Sequence, residues 1–512
     1  MSSEKQMQDS KIEEAGSDHS DHSSQIIDPE EERKLVRKID ARILPITCLL
    51  YLFAYLDRSN LGNARLQGLP KDTLDGDPTG HLFDWVNSIF FFSYILCQVP
   101  ATIASKLFPP RQWICAMAIG WGLSSTLMST AFNFGGLMTA RIFLGIFESG
   151  FGPVIPLYFS LFYTRAEMGT RMAYWFGFAA VAGAFGGLIA FGVQHAKNTA
   201  IHNWRLLFII EGGPAIIMAI VTIIFLPNRP ESTSFFNERE RVIALDRSNR
   251  GTSADSGARV TKGGVPCLPA VEILGILNVS LPNIAHILMA FSDWRCYAGG
   301  VIYFGLNCAL ASISAFLPTI LSTFGFTNAL AQLLTGKFPP YAVAAIMLVS
   351  FSMVSDRLQS RGIFMAVATS IAGIGYVLLI AAHSNVHARY FAVFCIVGGT
   401  YTTIGLTIAW FAHNLGSETK RATGIPIFMA IGQCGSVLGS HIFPLQEGPR
   451  YIKGFAISCA LEFLAAIVSI VLSISYHREN ARRDALYGKP HPEARVDTSE
   501  LADKANDFRY VI

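Results

Sequence analysis

Apolar stretches long enough to cross a bilayer alternate along the chain with short polar connectors. A helix needs about 20 apolar residues to traverse ~30 Å of hydrocarbon. The first run, Ile43–Leu56, follows a charged flank of Arg33, Lys34, Arg37, Lys38, Asp40 and Arg42 and is interrupted by Asp57-Arg58. Five more follow at about Phe83–Phe108, Gln112–Phe132, Phe134–Tyr163, Met172–His195 and Trp204–Leu226. The pattern then stops. From Pro227 to Asp293 the chain carries charge clusters (Glu238 to Arg241, Asp246-Arg247) and pieces rich in Gly, Ser and Pro. Its one apolar segment, Leu268–Ala290, is broken by Pro269 and Pro282 and punctuated by Glu272 and His286, and reads as an interfacial helix or linker. Hydrophobic runs resume at Trp294–Leu321, Ala329–Val354, Ile363–Ala382, Tyr390–His413, Ala422–Phe443 and Phe455–Tyr476. The layout predicts an all-α integral membrane protein, with twelve transmembrane helices in two pseudo-symmetric six-helix bundles. The expected units are a disordered tail (1–40), a bundle (41–227), a linker (228–293), a second bundle (294–476) and a charged tail (477–512). Residues 1 to about 32 carry almost nothing apolar, and His19 and His22 beside Asp18 and Asp21 read as solvated tail rather than a metal site.

The shortness of the first run has a chemical consequence. If the helix spans, Asp57, Arg58 and Asn60 lie within the bilayer, where charged groups face a bundle interior or a watery cavity. The alternative is a helix ending at Leu56, with Asp57-Arg58 among the headgroups. In the fourth run Arg141, Gly145 and Glu148 stand at i, i+4 and i+7, on one helical face. A rise of 1.5 Å per residue puts Asp57 ~22 Å in from one side and Arg141 ~10 Å below the other, at a similar level to Asp57 and Arg58; Glu148 lies ~20 Å down, nearer the middle. Asp57 is then expected to stay ionised between the arginines, and the deeper Glu148 to take a proton more readily. The competing reading is an ion-pair network that holds the first and fourth helices together.

Other candidates follow from residue type. Tyr55, Asn60, Tyr94 and Gln98 from the first half, with Tyr303, Asn307, Trp410 and Gln433 from the second, combine apolar bodies with polar tips and are expected to line a cavity. Asp356, Arg357 and Arg361, in the connector after the eighth run, are expected either to clamp a gate, with Glu418 or the start of the eleventh helix (Arg421) as partner, or to anchor a loop. Gly177, Gly183, Gly186 and Gly187 in the fifth run, and Gly432, Gly435 and Gly439 in the eleventh, mark close helix packing.

Composition narrows the function. Hydrophobic residues make up 51% and charged residues 15% of the chain, against the ~25% charged usual in soluble domains. The net charge of +3 leaves no nucleic-acid footprint. The first ~40 residues lack the apolar core of a cleavable leader. The basic flank before the first run, the Arg-containing linker and Arg478, Arg482 and Arg483 fall on one side, which places both termini in the cytoplasm. Asn278-Val-Ser280 is then a glycosylation sequon in form only. His195, His286, His413 and His441 have no Asp or Cys at catalytic or metal-ligand spacing. With no Gly-x-x-x-x-Gly-Lys-Ser/Thr loop either, the sequence predicts no enzyme, no ATP-driven pump, no metal and no cofactor. The partners expected are the lipid bilayer, a small molecule and protons, for a monomeric carrier in the plasma membrane.

Tyr55 to Ala64, Arg141…Gly145…Glu148-Ser-Gly150, Asn203-Trp-Arg…Phe208…Glu211-Gly-Gly-Pro214, Ser355-Asp-Arg357 and Thr419-Lys-Arg421 together resemble the major facilitator superfamily. More narrowly they resemble the fungal allantoate-permease-like group of its anion:cation symporter branch, over about Lys34 to Tyr476. The resemblance implies proton-coupled movement of small organic anions, with Asp57 and Glu148 carrying the coupling and Arg58 and Arg141 engaging those acids or a substrate carboxylate. It also leaves open an exporter of a fungal secondary metabolite and a nutrient sensor that does not transport. One motif departs: the connector after the second run, Ala104-Ser-Lys-Leu-Phe-Pro-Pro-Arg111, lacks the Asp of the first-half gate.

Overall fold

The structure, a computed structural model, describes residues 28–105, 107–196, 201–251, 281–322, 339–382, 385–448, 450–490, 498 and 501–512. The first half comprises α1 (Pro29–Leu66), α2 (Leu69–Thr73), α3 (His81–Ser105), α4 (Pro110–Met128), α5 (Phe134–Ser149), α6 (Val154–Phe159), α7 (Arg165–Gln194) and α8 (Asn203–Phe225). The linker holds α9 (Glu238–Gly251) and α10 (Leu281–Ser292). The second half comprises α11 (Trp294–Ser322), α12 (Pro339–Leu358), α13 (Gly362–Ala381), α14 (Val386–Asn414), α15 (Glu418–His441) and α16 (Ile452–Tyr487). Among the described residues eleven helices are long and apolar enough to cross a bilayer. The remaining expected span, α4, is 19 residues long and diluted by Gly120, Gly122, Ser124, Ser125 and Thr126. It packs along α8 and α5 inside the first bundle.

Local chemistry explains the main helix limits. Asp28 caps α1 by accepting from the Glu30 N–H, Pro29 opens the first turn and Glu30, Glu31 and Glu32 face the positive end of the helix dipole. The helix runs through Asp57-Arg58 without interruption to Leu66, which removes the reading in which it ends in the headgroups. It also corrects the expected tail: the chain is helical from Pro29 rather than disordered to residue 40, while His19 and His22 lie outside the described residues. The fourth run is not one helix. It breaks at Gly150–Pro153 into α5 and α6, because Gly150 and Gly152 favour a turn and Pro153 has no N–H to continue the ladder. Of the segment expected as an interfacial helix or linker, Leu281–Ser292 is helical as α10; its preceding residues, with Glu272 and Asn278, lie outside the described residues, as do the first residues of the eighth run.

The two halves meet along α3 with α15, α7 with α12 and α14, and α1 with α11. Backbones come close where glycine permits: a Cβ on Gly62 would lie 2.6 Å from the Ala315 carbonyl oxygen. Within the second half, Gly435 and Gly439 lie against the Phe304 and Cys308 carbonyls of α11, so the expected packing role of that stripe is met.

On the linker side each bundle is clasped by charged connections. Lys38 pairs with Glu240 at 2.7 Å, Arg171 with Asp40 at 2.8 Å, and Arg247 with both Glu32 and Glu167 at 2.6 Å, so α9 is docked rather than loose. In the second half, Lys420 pairs with Asp293 at 2.6 Å and Asp503 at 2.7 Å, while Tyr510 stacks on Tyr476. The 477–512 region is therefore not simply a tail: α16 continues to Tyr487, and residues 501–512 return to the bundle.

On the opposite side, Asp72 of α2 accepts from Arg205 Nη2 and Trp204 Nε1, both at 3.0 Å. Burial alone would raise its carboxyl pKa, but these hydrogen bonds outweigh it and hold the group below its ordinary value. Its stabilisation is therefore fully present above the unfolded value near pH 4 and lost as pH falls through the folded value. Thermal unfolding of purified protein should show Asp72→Asn less stable than wild type by about 0.2–1 kcal/mol at neutral pH. The difference should narrow as acidification reaches the carboxylate range; one independent of pH would discount the pair.

Candidate functional site

Successive residues of α1 point to different neighbours because each advances about 100° around the helix. Tyr55 turns to the second half, sharing a 2.7 Å hydrogen bond with Tyr401 and a 3.2 Å one with Ser314. Arg58 turns to α3 and α5. Its Nε donates to Glu148 Oε2 at 2.5 Å, and its guanidinium lies 5.1 Å from the Phe90 ring and 5.0 Å from that of Tyr94. Asp57 turns into the first bundle, where Ser125 of α4 donates to its Oδ1.

This arrangement revises the expected pairing. Arg58 belongs to Glu148, not to Asp57. Side chains lean toward the N-terminus of their own helix. Since α1 and α5 run antiparallel, Arg58 and Glu148 lean toward one another and close the difference in depth that Cα positions alone suggest. Asp57 has a hydroxyl as its partner, and its Oδ2 has none among the described residues.

Arg141 is 1% exposed, and neither its Nε nor its Nη2 has a hydrogen-bonding partner among the described residues. Asp57 and Glu148 are its electrostatic neighbours. A guanidinium buried among acids with two nitrogens unspent is a donor set for a planar anion, which arginine binds with two parallel hydrogen bonds.

The remaining candidates divide. Tyr94 and Tyr303 join Tyr55 around Arg58, and Asn307, one turn further, donates to the Tyr303 carbonyl at 2.8 Å. Gln98 and Gln433 are buried; Gln433 accepts from Ser436 of its own helix at 3.1 Å, and the Gln98 side-chain amide has no hydrogen-bonding partner among the described residues. Two expectations are corrected. Asn60 lies against Glu211 of α8, inside the first bundle, because i+3 from Asp57 shares that face. Trp410 donates to the Val511 carbonyl at 2.8 Å, on the linker side, because it sits near the end of α14 where the returning tail docks.

The connector residues make a contact between halves. Asp356 pairs with Arg361 at 2.7 Å and accepts from Thr170 of α7 at 3.2 Å. Arg361 also meets His413 at 3.1 Å, and its N–H donates to the Ile512 carbonyl. The expected partner was the start of α15. Instead Arg421 donates to the Gly416 carbonyl at 2.9 Å, Arg357 points outward exposed, and the Glu418 side chain lies outside the described residues. In the first-half counterpart, the Arg111 N–H donates to Asn228, and Lys106 lies outside the described residues. The opposite side is also joined, by Asn87 to Ser440 at 2.8 Å and Ser88 to His441 at 3.2 Å. Polar contacts between the halves therefore stand at both ends and at the centre.

Sequence reasoning missed Ser125, Tyr51, Tyr341, Tyr401, Glu211 as a site residue and Glu462. Tyr51 packs 4.1 Å from Trp175, and Tyr401 5.7 Å from Tyr341, extending the aromatic cage around Tyr55. No periodicity marks those tyrosines. The acids had a signal: Glu211 and Glu462 each interrupt an apolar run. Glu462 is fully buried and accepts from Thr400 at 3.0 Å.

Comparison with known proteins adds the family context. Residues 47–440 match the family model described as Major Facilitator Superfamily. A major facilitator-type transporter of Emericella nidulans is 30% identical, over 95% of this chain and 94% of its own length. The high-affinity nicotinic acid transporter of Saccharomyces cerevisiae is 28% identical, over 94% of this chain and 85% of its own. Among solved structures, the D-xylose-proton symporter superposes with a TM-score of 0.62 at 13% identity, covering 84% of this chain and 96% of that one.

Proposed function

Because the chain belongs to the major facilitator superfamily, we propose that it is a proton-coupled carrier of a small organic anion, of the allantoate-permease-like anion:cation symporter type. It works as a monomer by alternating access in the plasma membrane, with both termini and the linker in the cytoplasm. The observation that carries this reading is Arg141, fully buried, near two acids and with two guanidinium nitrogens unpartnered among the described residues. The anion's carboxylate takes those donors. Tyr55, Tyr94 and Tyr303 supply apolar faces and hydroxyls, with Asn307 beside them. A cage of tyrosines over arginines favours a flat aromatic carboxylate, and a relative named as a nicotinic acid transporter makes nicotinate the first compound to try.

Asp57 and Glu148 carry the protons in this scheme. When Arg58 turns to the substrate, Glu148 loses its ion-pair partner, and a proton replaces the lost charge. Anion binding and protonation are thus linked, and linkage is reciprocal. An uptake screen in transporter-deficient yeast, covering monocarboxylates, vitamins and aromatic amines at two external pH values, tests the whole reading. Uptake of a carboxylate that rises with external acidity supports it; transport of a cation alone, or no transport of any compound, sinks it. Substrate accumulation also separates import from the exporter and sensor alternatives.

The gate follows the same reading. Asp356 ties Arg361 to Thr170 of the other half, so Asp356→Asn is expected to favour the inward-open state. Charge-assisted hydrogen bonds contribute about 1.5–3 kcal/mol each, enough for a tenfold or larger rise in labelling of a cysteine introduced on the cytoplasmic face. Substrate affinity should change little. Unaltered labelling would make the connector an anchoring loop.

A further inference from the structure

Glu211, on α8, is 1% exposed, and neither carboxyl oxygen has a hydrogen-bonding partner among the described residues. The Asn60 amide lies against it without forming a hydrogen bond of normal geometry, and Asp57 is the charged group within its electrostatic reach. Asn60 is itself fully buried, with both amide atoms unpartnered among the described residues, and Asp57 Oδ2 is in the same condition. Buried polar atoms are nearly always satisfied. Here five atoms from two adjoining helices, Asp57 Oδ2, Asn60 Oδ1 and Nδ2, and Glu211 Oε1 and Oε2, are not.

Among the described residues, the other elements bring no compensating charge to Glu211. From α4, the helix packed most extensively on α8, come the hydroxyls of Ser125, bonded to Asp57, and Thr126, beside Gly212. From α5, Arg141 faces Asp57 and Glu148. The cluster thus holds three buried acids, Asp57, Glu148 and Glu211, against two guanidiniums, the buried Arg141 and the partly exposed Arg58. An uncompensated buried charge costs several kcal/mol, so one positive unit is missing. Two neighbouring buried carboxyls oppose each other's ionisation, so that one keeps a proton.

We propose that Asp57 and Glu211 form an electrostatically coupled carboxyl–carboxylate pair, with the Asn60 amide beside them, that holds one proton in the substrate-free carrier. This rests on the reading above in which Asp57 carries a proton, and makes that proton the property of a pair spanning α1 and α8. The pair is an ionisable site of the carrier itself and needs no bound anion. One proton held in this way leaves the cluster electrically neutral, with Glu148 on Arg58 and Arg141 facing Asp57 and Glu148.

Infrared spectroscopy of the purified full chain in lipid nanodiscs, titrated with acid and base and without ligand, tests this through the C=O stretch of protonated carboxyl groups. Wild type should show a titration step whose midpoint moves by about one pH unit or more in Asp57→Asn, which leaves Glu211 to titrate without its partner. Glu211→Gln should keep a band but move its midpoint by about one pH unit or more, as expected of coupled sites. Asn60→Ala, which keeps both acids and covers the case of a Glu211 variant that does not fold, should move it too. Glu462→Gln is the control: an equally buried acid in the other half, hydrogen-bonded to Thr400, whose loss should leave this step in place. A midpoint unmoved by Glu211→Gln and Asn60→Ala overturns the pair while leaving Asp57 as a lone proton carrier. A midpoint unmoved by Asp57→Asn overturns Asp57 itself as a proton carrier, and the pair with it.

Discussion

Replacing Arg141 by alanine is expected to raise the KM for carboxylate uptake by about 10- to 100-fold. A hydrogen bond between charged groups contributes about 1.5–3 kcal/mol net, and each 1.4 kcal/mol is a factor of about ten in affinity. The site offers two nitrogens unpartnered among the described residues, on a side chain that is 1% exposed, so little of that energy is lost to solvent. Lysine at this position should recover only part of the loss, because a single ammonium lacks the planar fork that matches a carboxylate. Competition by nicotinamide against labelled nicotinate provides a control: the amide has no carboxylate, so its weaker inhibition should be almost insensitive to the change. If Arg141→Ala weakens the acid and the amide equally, the residue shapes the pocket rather than binding charge. If neither changes, the anion site lies elsewhere.

Glu148→Gln is expected to abolish pH-driven accumulation while retaining exchange of substrate across the membrane. One coupled proton can sustain about tenfold accumulation per unit of pH difference, since a unit corresponds to 1.36 kcal/mol. In proteoliposomes the variant should fall to a ratio of about one. Glutamine keeps the shape and can still accept from Arg58, whose guanidinium also lies over Phe90 and Tyr94, so the ion pair is lost without emptying the site. Asp57→Asn should impair accumulation similarly. Its partner is a serine hydroxyl, so the effect should come with less loss of folded protein than at the ion-paired Glu148. Continued uphill transport by Glu148→Gln in response to pH would move the coupling proton to other groups.

The two variants differ in which free energy they read. Arg141→Ala changes the interaction with the anion and should appear in binding at any pH. Glu148→Gln changes the link between binding and protonation, and should appear only when a proton gradient must do work. That separation depends on Arg58 pairing with Glu148, a contact that brings the first and fifth helices together at 2.5 Å.

The sequence by itself determined the class and the list of parts. Apolar runs of membrane-spanning length set the number and order of helices, because backbone polar groups in lipid must be satisfied within a helix. Charges such as Asp57, Arg58, Arg141 and Glu148 stand out in those runs because burying them without partners is costly. Their presence was legible; their pairing was not. Depth along a helix is a one-dimensional measure, while the direction of a side chain depends on helix rotation and on the lean of each Cβ. Those two quantities put Arg58 on Glu148, Asp57 on Ser125 and Asn60 against Glu211. The cage around Tyr55 was likewise invisible, since a tyrosine facing another half has the same sequence signature as one facing lipid. Trp410 was misread for that reason: only the return of the chain past Tyr510 to Val511 gives its indole a partner. Helix identity is set locally by hydrophobicity, caps and glycines, whereas the site is made by which faces of separate helices meet, and that is decided by packing across the whole molecule.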